Sequence, residues 1–309
     1  MASVEMENRA TVSRTTCGWR RPELDRDAVR RYWRDVHSPA IARRAGVHWY
    51  RHSPFDAVDA QLFAPITGIE RAAPANEQLM WQSDVAYLDE DAVAAFVASP
   101  DDPAVTALLL ADIELIVDRS TTYRSVGDNA RTWVDTTDGI PTGPVRHPTY
   151  GLFLRARSAE PAFRSALGDL ARRWADRPGV RRLRLSLFDA PDPEAERRAG
   201  YPIRTHPVDQ QYQAWIELVL DDRDVARALP VAGLAEHVST LHAYPVPAVY
   251  TFVHDGRPTL IGLRGYPAQQ AIAELGADHA RDERLLEWMY GPAARRGQPA
   301  EVQRWAGQR

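Results

Sequence analysis

Apolar and polar residues alternate in short stretches along the first third of the chain, and apolar stripes with helical spacing separate these stretches. The predicted strands are Thr11–Trp19, Val47–His52, Ser83–Leu88 and Asp112–Asp118. The predicted helices are a segment from Asp25 to Val36, a short helix at Ala40–Ala45, and Asp91–Ala98 with a further turn at Val105–Leu110. Pro39 is expected to interrupt the first helix, because proline lacks a backbone N–H. The resulting order is that of a ferredoxin-like βαββαβ unit.

The same order recurs in the second half of the chain. Its predicted strands are Tyr150–Arg157, Val180–Phe188, Tyr212–Leu220 and Ala248–His254, and its predicted helices are Pro161–Ala175 and Val225–Leu241. A proline-containing excursion follows the second strand in each half, at 53–76 and 189–211, so the pattern indicates an internal duplication.

We therefore predict an α+β fold with two ferredoxin-like halves and a C-terminal helical extension. The expected divisions are a first half at 10–121, a linker at 122–148, a second half at 149–255 and an extension at 256–309. Helices predicted at Ala268–Leu275 and Asp282–Tyr290 would cover an edge or open end of the sheet.

Composition removes several classes of function. A formal net charge of −4 over 309 residues gives no sign of the basic surface that a nucleic-acid partner requires. All 38 basic residues are Arg, which excludes a lysine Schiff base and a P-loop lysine. The lone Cys17 excludes a disulfide framework or a cysteine metal cage. No apolar run approaches the ~20 residues that cross a bilayer, and no apolar signal region is present, so we expect a cytoplasmic protein with no membrane partner.

The segment from Tyr32 to Pro39 reads Tyr-Trp-Arg-Asp-Val-His-Ser-Pro and resembles the signature helix of the EthD family, in which aromatic residues precede His-x-Pro. The resemblance covers residues 10–120 well and 148–255 by pattern alone. It implies a dimeric α+β barrel, in which two four-stranded sheets enclose a cavity, here with both sheets from one chain. Relatives include dehydratases and decarboxylases of aromatic polyketides, metal-free quinone-forming oxygenases and, in wider kinship, haem-binding proteins. The fold alone therefore does not determine the chemistry.

His37 is the first candidate for a catalytic role. It lies four residues after Trp33, at the margin of the apolar stripe, where an imidazole can act as a general acid or base. Asp112 and Glu114 are also predicted to be catalytic, since a carboxylate on the polar face of their strand would orient His37 or take a proton. The alternatives are a core histidine bonded to the backbone and carboxylates exposed to solvent.

Aromatic and imidazole side chains supply the predicted substrate contacts. These are Trp33, Tyr50 and His52 in the first half and Tyr212, His242, Tyr250 and His254 in the second, with Arg264 in a following turn to hold an anionic group. His48 shares a face with His52, but their spacing on a strand separates the two rings by ~13 Å, so no metal site is predicted there. Core packing or surface exposure is the alternative for each of these residues.

The residues and the resemblance together predict a cofactor-independent lyase or isomerase of the dehydratase or cyclase type. Its substrate would be a small aromatic or polyketide-like molecule of secondary metabolism. A haem-dependent or cofactor-free oxygenase and a non-catalytic small-molecule carrier are the alternatives. A haem would need an axial histidine, yet the chain shows no strong metal-binding spacing. Because two halves already supply two sheets, the protein is expected to be either a monomer or a homodimer.

Overall fold

The computed structural model describes residues 2–190 and 204–291. Its strands are β1 Val12–Arg20, β2 Trp49–Pro54, β3 Trp81–Tyr87, β4 Val117–Val126, β5 Ala130–Asp135, β6 Thr142–Pro144, β7 Thr149–Ala156, β8 Val180–Leu187, β9 Arg204–Thr205, β10 Ala214–Leu220, β11 Val238–Pro245, β12 Ala248–His254 and β13 Arg257–Pro258. Its α-helices are α1 Ala2–Asn8, α2 Arg26–Tyr32, α3 Ser38–Ile41, α4 Glu90–Val97, α5 Pro103–Ile116, α6 Glu160–Ala175, α7 Val225–Ala228, α8 Leu234–His237, α9 Leu260–Arg264, α10 Tyr266–Glu274 and α11 Glu283–Tyr290. Parts of the predicted second excursion and of the predicted extension, at 191–203 and 292–309, lie outside the described residues.

Each half of the chain contains a ferredoxin-like unit. The strand order is β2-β3-β1-β4 in the first unit and β8-β10-β7-β11 in the second, so the two orders are equivalent. Neighbouring strands within each unit are antiparallel. The predicted α+β class with two ferredoxin-like halves is confirmed.

Each unit also contributes one strand to the sheet of the other. β5 follows β4 in the chain but pairs with β8, and β12 follows β11 but pairs with β2. The first sheet has the order β13-β12-β2-β3-β1-β4-β9, with β6 beside β12, and the second has the order β11-β7-β10-β8-β5. The two exchanged strands join the sheets into an α+β barrel formed by one chain.

The strand exchange corrects two assignments in the second half. Ala248–His254 is a strand, as predicted, but it belongs to the first sheet rather than to its own unit. The fourth strand of the second unit is β11, whose residues were predicted to be helical up to Leu241. Helices α7 and α8 are one turn each, because Pro230 and Gly233 lie between them.

The predicted strand Asp112–Asp118 is wrong for most of its length. Helix α5 begins at Pro103 and continues to Ile116, so Asp112 and Glu114 lie on a helix instead of a strand. Strand β4 begins at Val117 and continues into the range 122–148, where β5 and β6 also lie. That range was predicted to be a linker, but its residues contribute to both sheets.

The side of the second sheet that faces α6 carries the largest apolar core. Phe163, Leu167 and Trp174 of α6 pack there against leucine and isoleucine side chains of the sheet. Aromatic side chains fill part of the barrel interior, where Phe55 contacts Phe153 of the opposite sheet. Among the described residues, no helix is long and apolar enough to cross a membrane.

Candidate functional site

The helix-facing surfaces of the two sheets differ in polarity. On the second sheet this surface consists largely of buried aliphatic side chains: Leu152, Leu154, Leu183, Leu185, Ile216 and Leu218. On the first sheet this surface mixes the apolar Val12, Val85 and Tyr87 with polar side chains: Arg14, Thr16, Tyr50, His52 and Ser83. Buried polar groups lower stability unless they are hydrogen-bonded, so a polar surface beneath helices indicates a use other than packing.

A cavity of about 90 Å³ lies between this polar surface and the helices of the first unit. Its lining includes the predicted residues Trp33, His37 and Tyr50 and the unpredicted Arg14 and Ser83. The volume is about three times the ~30 Å³ that one water molecule occupies in the liquid. The cavity therefore has room for the reacting end of a small molecule, but not for a large one.

A π-helical turn, Trp33–His37, places the two candidate rings side by side. The Ser38 amide donates to the Trp33 carbonyl, a step of five residues that widens the helix. The rings of Trp33 and His37 consequently lie 4.3 Å apart between centroids. Pro39 does not interrupt the helix as expected, because it lies in the first turn of α3. Its ring would crowd the Asp35 carbonyl of a regular helix, and the wider π turn relieves that conflict.

Asp112 holds a carboxylate beside His37, although from a helix and not from the predicted strand. Asp112 Oδ2 lies 3.5 Å from His37 Nδ1, and the Tyr32 hydroxyl donates a hydrogen bond to Oδ1. The His37 side chain and this hydrogen bond outweigh the effect of burial and lower the pKa of Asp112. The same hydrogen bond raises the pKa of Tyr32 to about 12. The carboxylate therefore stays ionised and the phenol stays protonated over the neutral pH range.

His37 itself is buried, and Nδ1 has no hydrogen-bond partner among the described residues. No hydrogen bond to Nε2 occurs within the described ranges either, and the ring lines the cavity. An imidazole with a carboxylate on one side and a cavity on the other can exchange a proton with a bound molecule while the carboxylate stabilises the charged form.

Ser83 connects the candidate aromatic residues behind the cavity. Its hydroxyl accepts from Trp33 Nε1 at 3.2 Å and lies 3.2 Å from His52 Nδ1. Burial, with the nearby positive groups, lowers the pKa of His52 to about 3, so this imidazole is neutral. In the neutral imidazole, the tautomer of His52 decides whether Nδ1 donates to Ser83 or accepts from it. Tyr50, also buried, donates to Ser38 at 2.8 Å.

Tyr250 reaches the same region from the exchanged strand β12. Its ring lies 6.4 Å from His52, and the guanidinium of Arg34 lies 5.5 Å from its centroid. Arg34 also contacts the ring of Tyr266 at 4.5 Å and pairs with Asp35 at 2.6 Å. A strand of the second half thus supports the site of the first half.

Sequence reasoning missed Arg14, which lines the cavity from β1. Within the described residues it makes no ion pair, so its charge is not neutralised by a carboxylate there. The four residues from Ser13 to Thr16 are all polar, so this part of the strand has no apolar face, and this was the available signal. A cation in this place can stabilise negative charge that develops on a substrate oxygen.

The remaining predicted residues lie away from this cavity. Glu114 is exposed on α5, Arg264 donates to the Ala280 carbonyl from α9, and His254 lies near the end of β12. Tyr212 and His242 are brought together, with a 2.7 Å hydrogen bond between the phenol and Nδ1, but they point into the barrel interior. Burial lowers the pKa of His242 to about 4, consistent with a neutral structural imidazole.

A haem does not fit beside His37. The macrocycle is several times larger than the 90 Å³ cavity, and Trp33 covers one face of the imidazole. Across residues 2–190 and 204–291, no group of three or more His, Cys, Asp and Glu side chains is arranged to hold a metal ion. The described side chains are instead suited to proton transfer and hydrogen bonding.

Several solved structures resemble this chain, but only weakly. No family model matches the chain, and no curated relative matches it in sequence. A candidate monooxygenase from Fusobacterium nucleatum is 8% identical with a TM-score of 0.45, covering 78% of this chain and 94% of that one. One from Lactobacillus acidophilus is 10% identical with a TM-score of 0.43, covering 78% and 96%. An anthrone oxidase-like protein is 12% identical with a TM-score of 0.42, covering 80% and 94%. Similarities of this degree support no conclusion about activity.

Proposed function

We propose that this protein is a cofactor-independent lyase or isomerase of the dehydratase or cyclase type, related to the EthD family and acting on a small aromatic or polyketide-like molecule. The observation that carries the proposal is the buried His37, with Asp112 on one side and the cavity on the other. A base in this position suits removal of a proton from a carbon next to a carbonyl group.

In the proposed dehydration, His37 takes the proton and the C–H electron pair forms an enolate. The enolate oxygen lies toward Arg14, whose charge stabilises it. The electron pair then returns and expels a hydroxyl group from the next carbon. His37 gives its proton to that group, so one water leaves and a C=C bond remains. Asp112 stabilises the imidazolium between the two proton transfers, and Tyr32 fixes the carboxylate.

The size of the cavity bears on the substrate. A cavity of roughly 150 Å³ is known to hold benzene, which exceeds the 90 Å³ found here. An aromatic ring therefore enters only if a wall moves, and the N-terminal part of α5 is the wall best suited to move. Val105 and Leu108 are exposed there, so few apolar contacts hold this part of the helix, whereas the buried Ile113 and Ile116 keep the part that carries Asp112 in place.

The experiment starts with native mass spectrometry of the purified protein to identify a copurified molecule. That molecule, or small β-hydroxy carbonyl compounds bearing one aromatic ring, is then tested in D2O for exchange at the acidic carbon and for loss of water. We expect His37→Ala to lower the rate by about 10²–10⁴-fold, the range typical of a general acid–base group. The exposed His279→Ala serves as the matched control. Equal rates for both variants would exclude His37 as the base.

A cofactor-free oxygenase is the second candidate, supported by the aromatic wall of Trp33 and Tyr50 next to the same base. Deprotonation of an activated CH2 group by His37 would give a carbanion that reacts with O2. Conversion of CH2 to C=O consumes one O2 and releases one water. Oxygen consumption separates the two reactions, because the dehydration uses none. A ligand that is released unchanged, without exchange or oxygen uptake, would identify a carrier.

A further inference from the structure

A second cavity, of about 390 Å³, lies at the end of the barrel, on the other side of the first sheet from the site above. Its floor includes Arg51, Arg182 and Glu217, which point into the barrel interior. Helix α10 and the segment around β6 form its wall, where Gln269 donates to the carbonyl and hydroxyl oxygens of Thr142 at 3.0 Å. The volume lies within the range of small-molecule sites, which begins at about 300 Å³.

Arg51 differs from Arg182 in that part of its guanidinium makes no hydrogen bond to the described residues. The side chain is 8% exposed, and Nη2 donates to Glu7. Nε and Nη1 have no hydrogen-bond partner among the described residues, and Nη1 lies 3.7 Å from a Glu217 oxygen. Arg182, in contrast, pairs with Glu7, Glu217 and Asp135 at 2.6–2.7 Å. A buried donor without a partner is costly, so an acceptor atom within the cavity would bind at Arg51.

The charges around this floor determine which kind of acceptor is compatible. The guanidinium groups of Arg51 and Arg182 face the carboxylates of Glu7, Asp135 and Glu217, which leaves one excess negative charge. Arg146 and Asp138 in the cavity lining, and the buried pair of Arg184 and Asp84 nearby, each add one charge of either sign and do not change this balance. A carboxylate ligand would add a second negative charge where charges interact strongly. An uncharged hydroxyl group is compatible with both signs, since it can accept from Arg51 and donate to Glu217.

We propose that the barrel-end cavity is a second binding site, which takes a small uncharged molecule bearing hydroxyl groups through Arg51 and Glu217. Val219, Val249 and the ring of Tyr266 line other parts of the cavity and provide apolar contact for an aromatic ring. A phenol with adjacent hydroxyl groups combines both features. The site uses none of the residues assigned to proton transfer, so it stands independently of the proposed function.

The test measures the affinity of catechol by isothermal titration calorimetry, with benzoate as the charged comparison. Ala273 lines the cavity on the exposed side of α10, so Ala273→Trp fills the opening without changing the charged floor. Ala271, exposed on the same helix and outside the lining, gives the matched control Ala271→Trp. We expect Ala273→Trp to weaken catechol binding at one site at least about tenfold, whereas Ala271→Trp stays within about twofold of the unmodified protein.

Two results would overturn the proposal. Equal catechol binding by Ala273→Trp and Ala271→Trp would show that the barrel-end cavity is not the site. Tighter binding of benzoate than of catechol would show that the site selects an anion and not a hydroxyl group. If catechol also binds beside His37, Ala273→Trp reduces the number of sites from two to one, and that count keeps this test separate from the test of the proposed function.

Discussion

Replacing Glu7 by Gln tests whether the buried ionic network at the barrel end holds the two sheets together. Glu7 is 1% exposed and accepts from Arg51 of β2, from Arg182 of β8 and from Thr132 of β5. The carboxylate of Glu7 therefore connects helix α1 to both sheets through hydrogen bonds. The substitution takes from the buried Arg51 the carboxylate to which it donates a hydrogen bond, and loss of one partner of a buried ion pair typically costs 3–5 kcal/mol. Gln keeps one acceptor oxygen, so we expect a loss of about 3 kcal/mol in the free energy of unfolding.

Urea unfolding followed by tryptophan fluorescence measures this loss. With a slope of about 3 kcal/mol per molar urea, the midpoint should fall by about 1 M. Glu5 lies on the same helix and is exposed, so Glu5→Gln is the matched control and should change stability by less than about 0.5 kcal/mol. If Glu7→Gln unfolds at the same urea concentration as Glu5→Gln, the network does not stabilise the barrel and the reasoning fails.

The pH dependence of the same pair provides a second measurement. Burial acts to raise the pKa of Glu7, but the charges of Arg182 and Arg51 outweigh it and hold the pKa below its usual range. A lowered pKa contributes stability above the unfolded value of about 4.3, and this contribution is lost as the pH falls through the folded value. The stability difference between the unmodified protein and Glu7→Gln should therefore be complete at pH 7 and become smaller below about pH 4.

Three further substitutions test the fold and the candidate site. Gly168→Ala should raise the free energy of unfolding by about 0.5–1 kcal/mol, because a Cβ there meets open space within α6. Gly262→Ala should lower the free energy of unfolding by about 1–3 kcal/mol, because the added methyl group would lie 2.2 Å from the Phe252 carbonyl oxygen. Urea unfolding measures the effect of each glycine substitution. Tyr32→Phe should raise the pKa of the Asp112 carboxyl, measured by carbon-13 NMR titration, because it removes one of the hydrogen bonds that lower this pKa. An unchanged titration would show that the phenol does not act on Asp112.

Local patterns predicted the elements whose burial follows one regular period. In the predicted helix α6, the apolar residues at helical spacing, including Phe163 and Trp174, are buried against the second sheet. In β8, Leu183 and Leu185 alternate with Arg182 and Arg184, which point into the barrel interior. The period of a strand identifies its two faces, but only the opposite sheet determines what each face meets.

The errors arose where a short segment fits two periods or where pairing is remote in sequence. Ile113, Leu115 and Val117 alternate like a strand, but Ile113 and Ile116 also share a helix face, and the helix that starts at Pro103 decides between the two. The pairing of β12 with β2 joins residues about 200 positions apart, which no local pattern contains. Asp112 was therefore predicted near His37 for the wrong reason, because a helix and not a strand places it there.

The unequal halves explain why one of the two units carries the candidate site. Both units need a hydrophobic layer between helix and sheet, and the second has one in Leu183, Leu185 and the side chains of α6 that cover them. The first unit places Arg14 and Ser83 beneath its helices. It therefore buries less apolar surface at these positions than the second unit does. Because the exchanged strands β5 and β12 join the two units, the apolar layer of the second stabilises the whole barrel. The first unit can therefore keep a cavity and polar groups where its duplicate needs a packed core.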